Sequence, residues 1–340
     1  MRSVALLGVL VLFVSGCERM IDRQIEKNLG RADTALLQSP DMTVLLCGTG
    51  SPLPDPNRAS ACTAIVAGGE IVLVDTGPGS WEQVDLANLP TGAVGTVLLT
   101  HLHSDHIGDL GEAMTQSWIG GRKKQLDVYG PPGTARVVEG FDMAYSADED
   151  ARTAHHTEQY MPRGAANAVA HELVLGPEAD ASTVVFERNG LKVIAFRVDH
   201  APIDGLGYRI EWKGRSVVLS GDTKKSASVV KHATGADILI HEALQPDIVK
   251  RSAGIARRMG NERLGHMAND ILDYHTSVVE AAEVARDAKV PHLVLSHLVP
   301  APTNWFTERI FLRGAGDVYA GEITVGADGM RFTLPPRPTS

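Results

Sequence analysis

Val97-Leu98-Leu99-Thr100-His101-Leu102-His103-Ser104-Asp105-His106-Ile107-Gly108 decides how the rest of the chain is read. Its first half is an apolar, strand-forming run. Its second half places four metal-binding side chains in six positions, His101 to His106. Residues two apart in an extended segment point the same way, so His101 and His103 can grip one cation. Asp105 and His106 lie past the turn and can reach a second. Gly108 lets the chain bend into a helix predicted over His106–Ile119. Neutral imidazole and carboxylate suit zinc, with iron or manganese as alternatives. A solvated His-rich loop would not account for the strand in front of it.

The same arrangement recurs outward from this stretch. Ile71–Val74 runs into Asp75, Val193–Val198 into Asp199-His200, and Val217–Ser220 into Gly221-Asp222. Ile238–Ile240 runs into His241-Glu242, and Leu293–Ser296 into His297. If these strands share one edge of neighbouring sheets, ligands from distant segments converge there, as at the strand ends of open α/β sheets. Further strands are predicted at Thr43–Cys47, Ala61–Ala67, Leu126–Tyr129, Val184–Glu187, Tyr208–Trp212 and Ile323–Val325. Further helices are predicted at Pro132–Ala144, Ser226–Ala233 and Ser277–Ala288. Residues 146–181 lack periodicity and read as a long irregular excursion, a place for function or mobility. The tail beyond Thr333, with Pro335, Pro336 and Pro338, reads as frayed. Gly69–Thr76 and Lys213–Thr223 echo each other, which points to two similar β-rich halves packed sheet against sheet.

His101–His106 matches the HxHxDH signature of the metallo-β-lactamase fold superfamily. Gly48-Thr49-Gly50-Ser51-Pro52, Val74-Asp75-Thr76-Gly77, Val198-Asp199-His200, Ser220-Gly221-Asp222-Thr223, His241-Glu242-Ala243 and Tyr274-His275-Thr276-Ser277 follow in family order. Together they resemble the ribonuclease Z branch, and more narrowly its exported arylsulfatase-like relatives. The resemblance covers residues 42 to 330 and implies an α/β fold, the four-layer αββα sandwich. It implies two divalent metal ions, zinc first. His101, His103 and His200 would hold one, Asp105, His106 and His297 the other, and Asp222 would bridge them. A hydroxide shared by the metals would attack, oriented by Asp105. His275 would protonate the leaving group, Glu242 would hold His275 in its tautomer, and Asp75 would brace the His101–His106 loop.

The chain has 340 residues, 44% apolar and 21% charged, enough for one large globular domain. Arg2 precedes an apolar run from Val4 to Val14, too short for the ~20 residues of a membrane span and right for a signal-peptide core. Val14-Ser15-Gly16-Cys17 then resembles a bacterial lipobox, with Cys17 lipidated. The reading is a lipoprotein signal over 1–16, a stalk with one amphipathic helix over 17–41, and a metallo-hydrolase domain over 42–334. It places the protein in the periplasm, anchored to the outer membrane. Cys47 and Cys62 flank a Gly/Pro-rich turn. Two independent buried thiols are the commoner case, and a bridge is the alternative.

Three features weigh against RNA at this stage. The net charge is −9, a poor default for binding phosphates. Only 22 positions separate His200 from Asp222, no room for the long basic arm that tRNA-processing ribonucleases Z usually insert there. An export signal removes the chain from the tRNA pool. The expectation is therefore an exported hydrolase of small anionic esters, phosphodiesters or aryl sulfates, with no nucleic-acid partner. A ribonuclease Z-like endonuclease, a lactonase or β-lactamase, and a lipid-anchored binding protein are the alternatives. His155 and His156, in the irregular excursion, are candidates for substrate contact. A homodimer is expected by analogy with the fold.

Overall fold

Side-chain alternation along the strands sets the layering. In β1 (Met42–Gly48) of the computed structural model, Met42, Val44 and Leu46 point into one core, and Leu45 and Cys47 into another. A strand buried on both faces has to sit in an inner layer. The structure describes residues 19–26 and 30–338.

The first sheet contains β1, β2 (Cys62–Ala67), β3 (Glu70–Val74), β4 (Val94–Leu98), β5 (Leu126–Gly130), β6 (Ala168–Glu172) and β14 (Arg331–Leu334), in the order β14-β1-β2-β3-β4-β5-β6. The second contains β7 (Ser182–Arg188), β8 (Leu191–His200), β9 (Ile203–Trp212), β10 (Arg215–Leu219), β11 (Ile238–Leu244), β12 (His292–Val299) and β13 (Glu322–Val325), in the order β13-β12-β11-β10-β9-β8-β7. Val44, Val72, Tyr208, Val217 and Val294 pack between the sheets. Outside the first sheet lie α1 (Leu110–Ile119) and α2 (Thr134–Tyr160). Outside the second lie α3 (Ala227–Ala233), α6 (Val278–Asp287) and α7 (Trp305–Phe311). This is the four-layer αββα sandwich. A helical hairpin of α4 (Pro246–Arg258) and α5 (Glu262–Asp270) leaves the sandwich between β11 and α6.

Pairing places the site. β3 and β4 are parallel, and so are β10, β11 and β12. β8 runs antiparallel to β9, which runs antiparallel to β10, so β8 and β10 point the same way. The C-terminal ends of β3, β4, β8, β10, β11 and β12 therefore open on one edge, the edge the sequence pattern required.

Several expectations need correction. Residues 146–160 continue α2, and residues 168–172 form β6, parallel to β5. From residue 146 onward only Glu149 of α2 is buried, so this half of the helix carries no apolar stripe to detect. Arg331–Leu334 is a strand paired to β1, ordered through backbone bonds that do not depend on an apolar pattern. Cys47 and Cys62 are bridged, not independent: β1 and β2 are antiparallel neighbours, and the two Cα atoms lie 4.9 Å apart. Residues 19–26 are helical, with Ile21 and Ile25 exposed. Cys17 and the apolar run before it lie outside the described residues.

Candidate metal centre

β4 delivers the chain to His101, and Asp75 holds the loop that follows. Asp75 accepts from the Thr100 backbone N–H and the Thr100 hydroxyl, each at 2.8 Å, and from His106 Nδ1 at 2.8 Å. Because His106 Nδ1 donates to Asp75, its Nε2 keeps a free lone pair. That buried Nε2 has no hydrogen-bond partner and lies 3.4 Å from Asp222 Oδ2 and 3.5 Å from Asp105 Oδ2. A carboxylate behind an imidazole whose other nitrogen is unsatisfied is the usual setting of a metal ligand.

His101 Nδ1 sits 3.1 Å from the Thr100 hydroxyl, leaving Nε2 to face His103 Nδ1 at 3.0 Å. His200 Nδ1 donates to the Tyr274 carbonyl at 3.2 Å, which turns its Nε2 the same way. His101, His103 and His200 have ligand atoms within 4.8 Å of one another. So have Asp105, His106 and His297, and so have His101, His106 and Asp222. Asp222 Oδ2 lies between the groups, 3.8 Å from His101, 3.4 Å from His106 and 3.3 Å from His297. All seven predicted ligands therefore converge, and every one except His103 is buried. Two carboxylates and five imidazoles packed this tightly fit divalent cations: burial penalises the Asp222 charge, but the flanking imidazoles hold its carboxyl well below the usual range. Burial keeps His101 and His200 uncharged, the form that binds metal.

Backbone strain aims two of these groups. The β11–β12 register shifts where His297 bulges out, and His297 adopts φ +46. Such a conformation is costly for a non-glycine residue and redirects a side chain toward a site. Gly221, at φ +60, sits where a Cβ would meet the Leu206 carbonyl oxygen at 2.6 Å, so only glycine lets Asp222 approach.

His275 stands beside the cluster, with a ring nitrogen within 4.8 Å of Asp222 and His297 ligand atoms. Its Nδ1 donates to both Glu242 oxygens at 2.9 Å. Burial opposes its charge, yet Glu242 outweighs burial and raises it from 6.5 to about 9. Glu242 also accepts from the Thr223 backbone N–H at 2.6 Å, which fixes it beside Asp222. His155 and His156 are exposed near the end of α2, and among the described residues no contact joins them to the centre. Sequence reading missed Tyr274 as the partner of His200, because a backbone carbonyl leaves no residue-type signal.

A family model described as a β-lactamase superfamily domain matches residues 70–298. Ribonuclease Z of Mycobacterium bovis is 37% identical over 300 residues, covering 87% of this chain and 99% of that protein. The chain belongs to the metallo-β-lactamase superfamily, in its ribonuclease Z branch. Ribonuclease Z of Mycobacterium tuberculosis is 36% identical over 87% of this chain and 99% of that protein. Among solved structures, the short form of human tRNase Z aligns with a TM-score of 0.61 at 24% identity, over 86% of this chain and 99% of that one. That likeness shows the same fold. A member of this superfamily with this donor set is a metal-dependent hydrolase using divalent ions.

These findings overturn two expectations. The relatives are named ribonucleases Z, not exported arylsulfatase-like hydrolases of small esters, and relatives that are ribonucleases overturn the expectation of no nucleic-acid partner. The charge of −9 is a sum over the whole chain, whereas phosphate binding depends on local cations. The interval between His200 and Asp222 is filled by β9 and β10, as expected.

Proposed function

We propose that this protein is a ribonuclease Z-like phosphodiesterase that cleaves RNA at the metal centre. One observation carries the reading: a complete seven-residue donor set in a chain 37% identical to a ribonuclease Z along 99% of that protein. His101, His103, Asp105, His106, His200, Asp222 and His297 would hold the metals, and their nitrogen and oxygen donors favour zinc. Such ions, when bound, neutralise phosphate charge and lower the pKa of water. The chain supplies the rest. Asp75 fixes the tautomer and direction of His106. Asp105, 3.2 Å from His297, would orient the attacking water. His275, held protonated by Glu242, is placed to give a proton to the leaving ribose oxygen.

The test is cleavage of a transcribed tRNA precursor by freshly purified protein, with and without chelator, beside bis-p-nitrophenyl phosphate. Metal-dependent cleavage of the precursor is expected. Turnover of the small diester with the precursor left intact would sink the RNA reading. Metal analysis of the same preparation checks zinc.

The export reading belongs to this proposal, with 1–16 as signal, 17–41 as stalk and 42–334 as the catalytic domain. The Cys47–Cys62 bridge supports it, since disulfides persist in oxidising compartments. Labelled palmitate incorporated by the wild type and not by Cys17→Ser is the expected result. Equal labelling of both would remove the lipid anchor.

A further inference from the structure

Helix α7 starts eight residues after His297, and eight residues span at most about 28 Å of chain. It turns two large rings to solvent. Trp305 is 76% exposed and Phe306 57%, while Phe311 on the other side is fully buried. The two exposed rings lie 6.0 Å apart, nearly perpendicular. Asn304 caps the helix by accepting from the Phe306 and Thr307 N–H groups, so the rings stand on a fixed element. Arg309 follows Trp305 by one turn on the same face, and Arg313 lies just past the helix end.

Arg309 and Arg313 are exposed and form no ion pair or side-chain hydrogen bond among the described residues. Several other arginines are engaged, such as Arg122 with Met114, Arg209 with His232 and Arg215 with Asp237. The Gln245 side chain donates to the Phe311 carbonyl at 3.1 Å, so the start of α4 lies against the end of α7. Lys250 and Arg251, one turn into α4, are likewise exposed and unpaired among the described residues. An open groove of about 830 Å³ runs beside α7, lined by Trp305, Phe306, Arg309 and Arg313. Glu308 and Asp317 line it too, so charge alone cannot supply the affinity and stacking has to contribute.

We propose that this surface binds a single-stranded RNA segment adjoining the cleaved phosphodiester. Trp305 and Phe306 stack unpaired bases, and Arg309 and Arg313 hold phosphates. Adjacent exposed aromatics with interleaved cations make a sequence-tolerant platform, because every base has a π-face. The inference rests on the RNA reading of the metal centre.

The experiment is fluorescence anisotropy on the full chain with a fluorescein-labelled unstructured RNA, in chelator so that nothing is cut. The double variant Trp305→Ala/Phe306→Ala is expected to bind at least about tenfold more weakly, from the loss of base stacking. Trp305→Tyr keeps most of the affinity. Arg309→Gln/Arg313→Gln flattens the slope of log affinity against log salt by about 1.4, two phosphate contacts on a single strand. Thermal melts of each variant check that it is folded. RNA affinity unchanged in the folded aromatic variant overturns the platform while leaving the RNA reading intact. Wild-type protein that cuts the small diester but neither binds nor cuts RNA overturns the RNA reading itself. Loss of binding to phosphatidylglycerol vesicles with RNA affinity unchanged would reassign the surface to lipid.

Discussion

Substituting glutamine for Glu242 keeps the shape of the side chain and removes its charge. His275 donates to both Glu242 oxygens at 2.9 Å and is raised from 6.5 to about 9. That gap corresponds to about 3 kcal/mol in favour of the protonated ring. At pH 7.5 it leaves roughly thirty protonated rings for each neutral one. Without the carboxylate, burial acts with little opposition and drives the ring to its ordinary value or below. The protonated fraction at pH 7.5 then falls to about one in ten or less. A proton donor matters most when the leaving oxygen is basic. The ribose oxygen of RNA is a poor leaving group, whereas p-nitrophenolate departs unaided. Glu242→Gln should therefore lower kcat on RNA by about tenfold to a hundredfold at pH 7.5, within the range for general acids. On bis-p-nitrophenyl phosphate it should cost much less. The RNA profile should also lose its activity at lower pH on the basic side than the wild type does. Paired pH–rate curves on the two substrates give the answer. Equal losses on both, with metal content unchanged, would refute the assignment of His275 as the donor.

Other outcomes follow from the same geometry. Asp222→Asn should lower the metal content of purified protein, because this carboxylate lies within 3.8 Å of three ligand imidazoles; full occupancy by elemental analysis would exclude a bridging role. His241 is fully buried, and burial lowers it from 6.5 to about 4. Its Nδ1 donates to the Glu242 carbonyl, and Glu280 is the charge that opposes the shift. Because the unfolded chain takes up this proton first, the stability it confers is complete above pH 6.5 and is lost as pH falls toward 4. Denaturant melts of metal-free His241→Asn should show an acid loss smaller by about 3 kcal/mol, and a curve parallel to wild type would contradict this. Removing the Cys47–Cys62 bridge with a double alanine variant opens a loop of 15 residues and should cost about 3 kcal/mol, read from the same melts.

The sequence by itself determined which side chains gather at one edge of the fold. Ligand chemistry is a property of residue type, and apolar strands that each end in His or Asp mark a shared edge. His101, His103, Asp105, His106, His200, Asp222 and His297 were legible for that reason, as were the layers, because strands buried on both faces read as unbroken apolar runs. Three things were decided only in three dimensions. The αL bulge that aims His297 and the Tyr274 carbonyl that orients His200 are backbone features, with no signature in composition. The second half of helix α2, from residue 146, and strand β14 are held by tertiary partners and backbone bonds instead of their own periodicity. The charge available to a phosphate at α7 depends on which cations lack partners, as Arg309 does among the described residues. A count along the chain sums charges irrespective of place, whereas electrostatic attraction depends on distance and on pairing, which only the folded surface fixes.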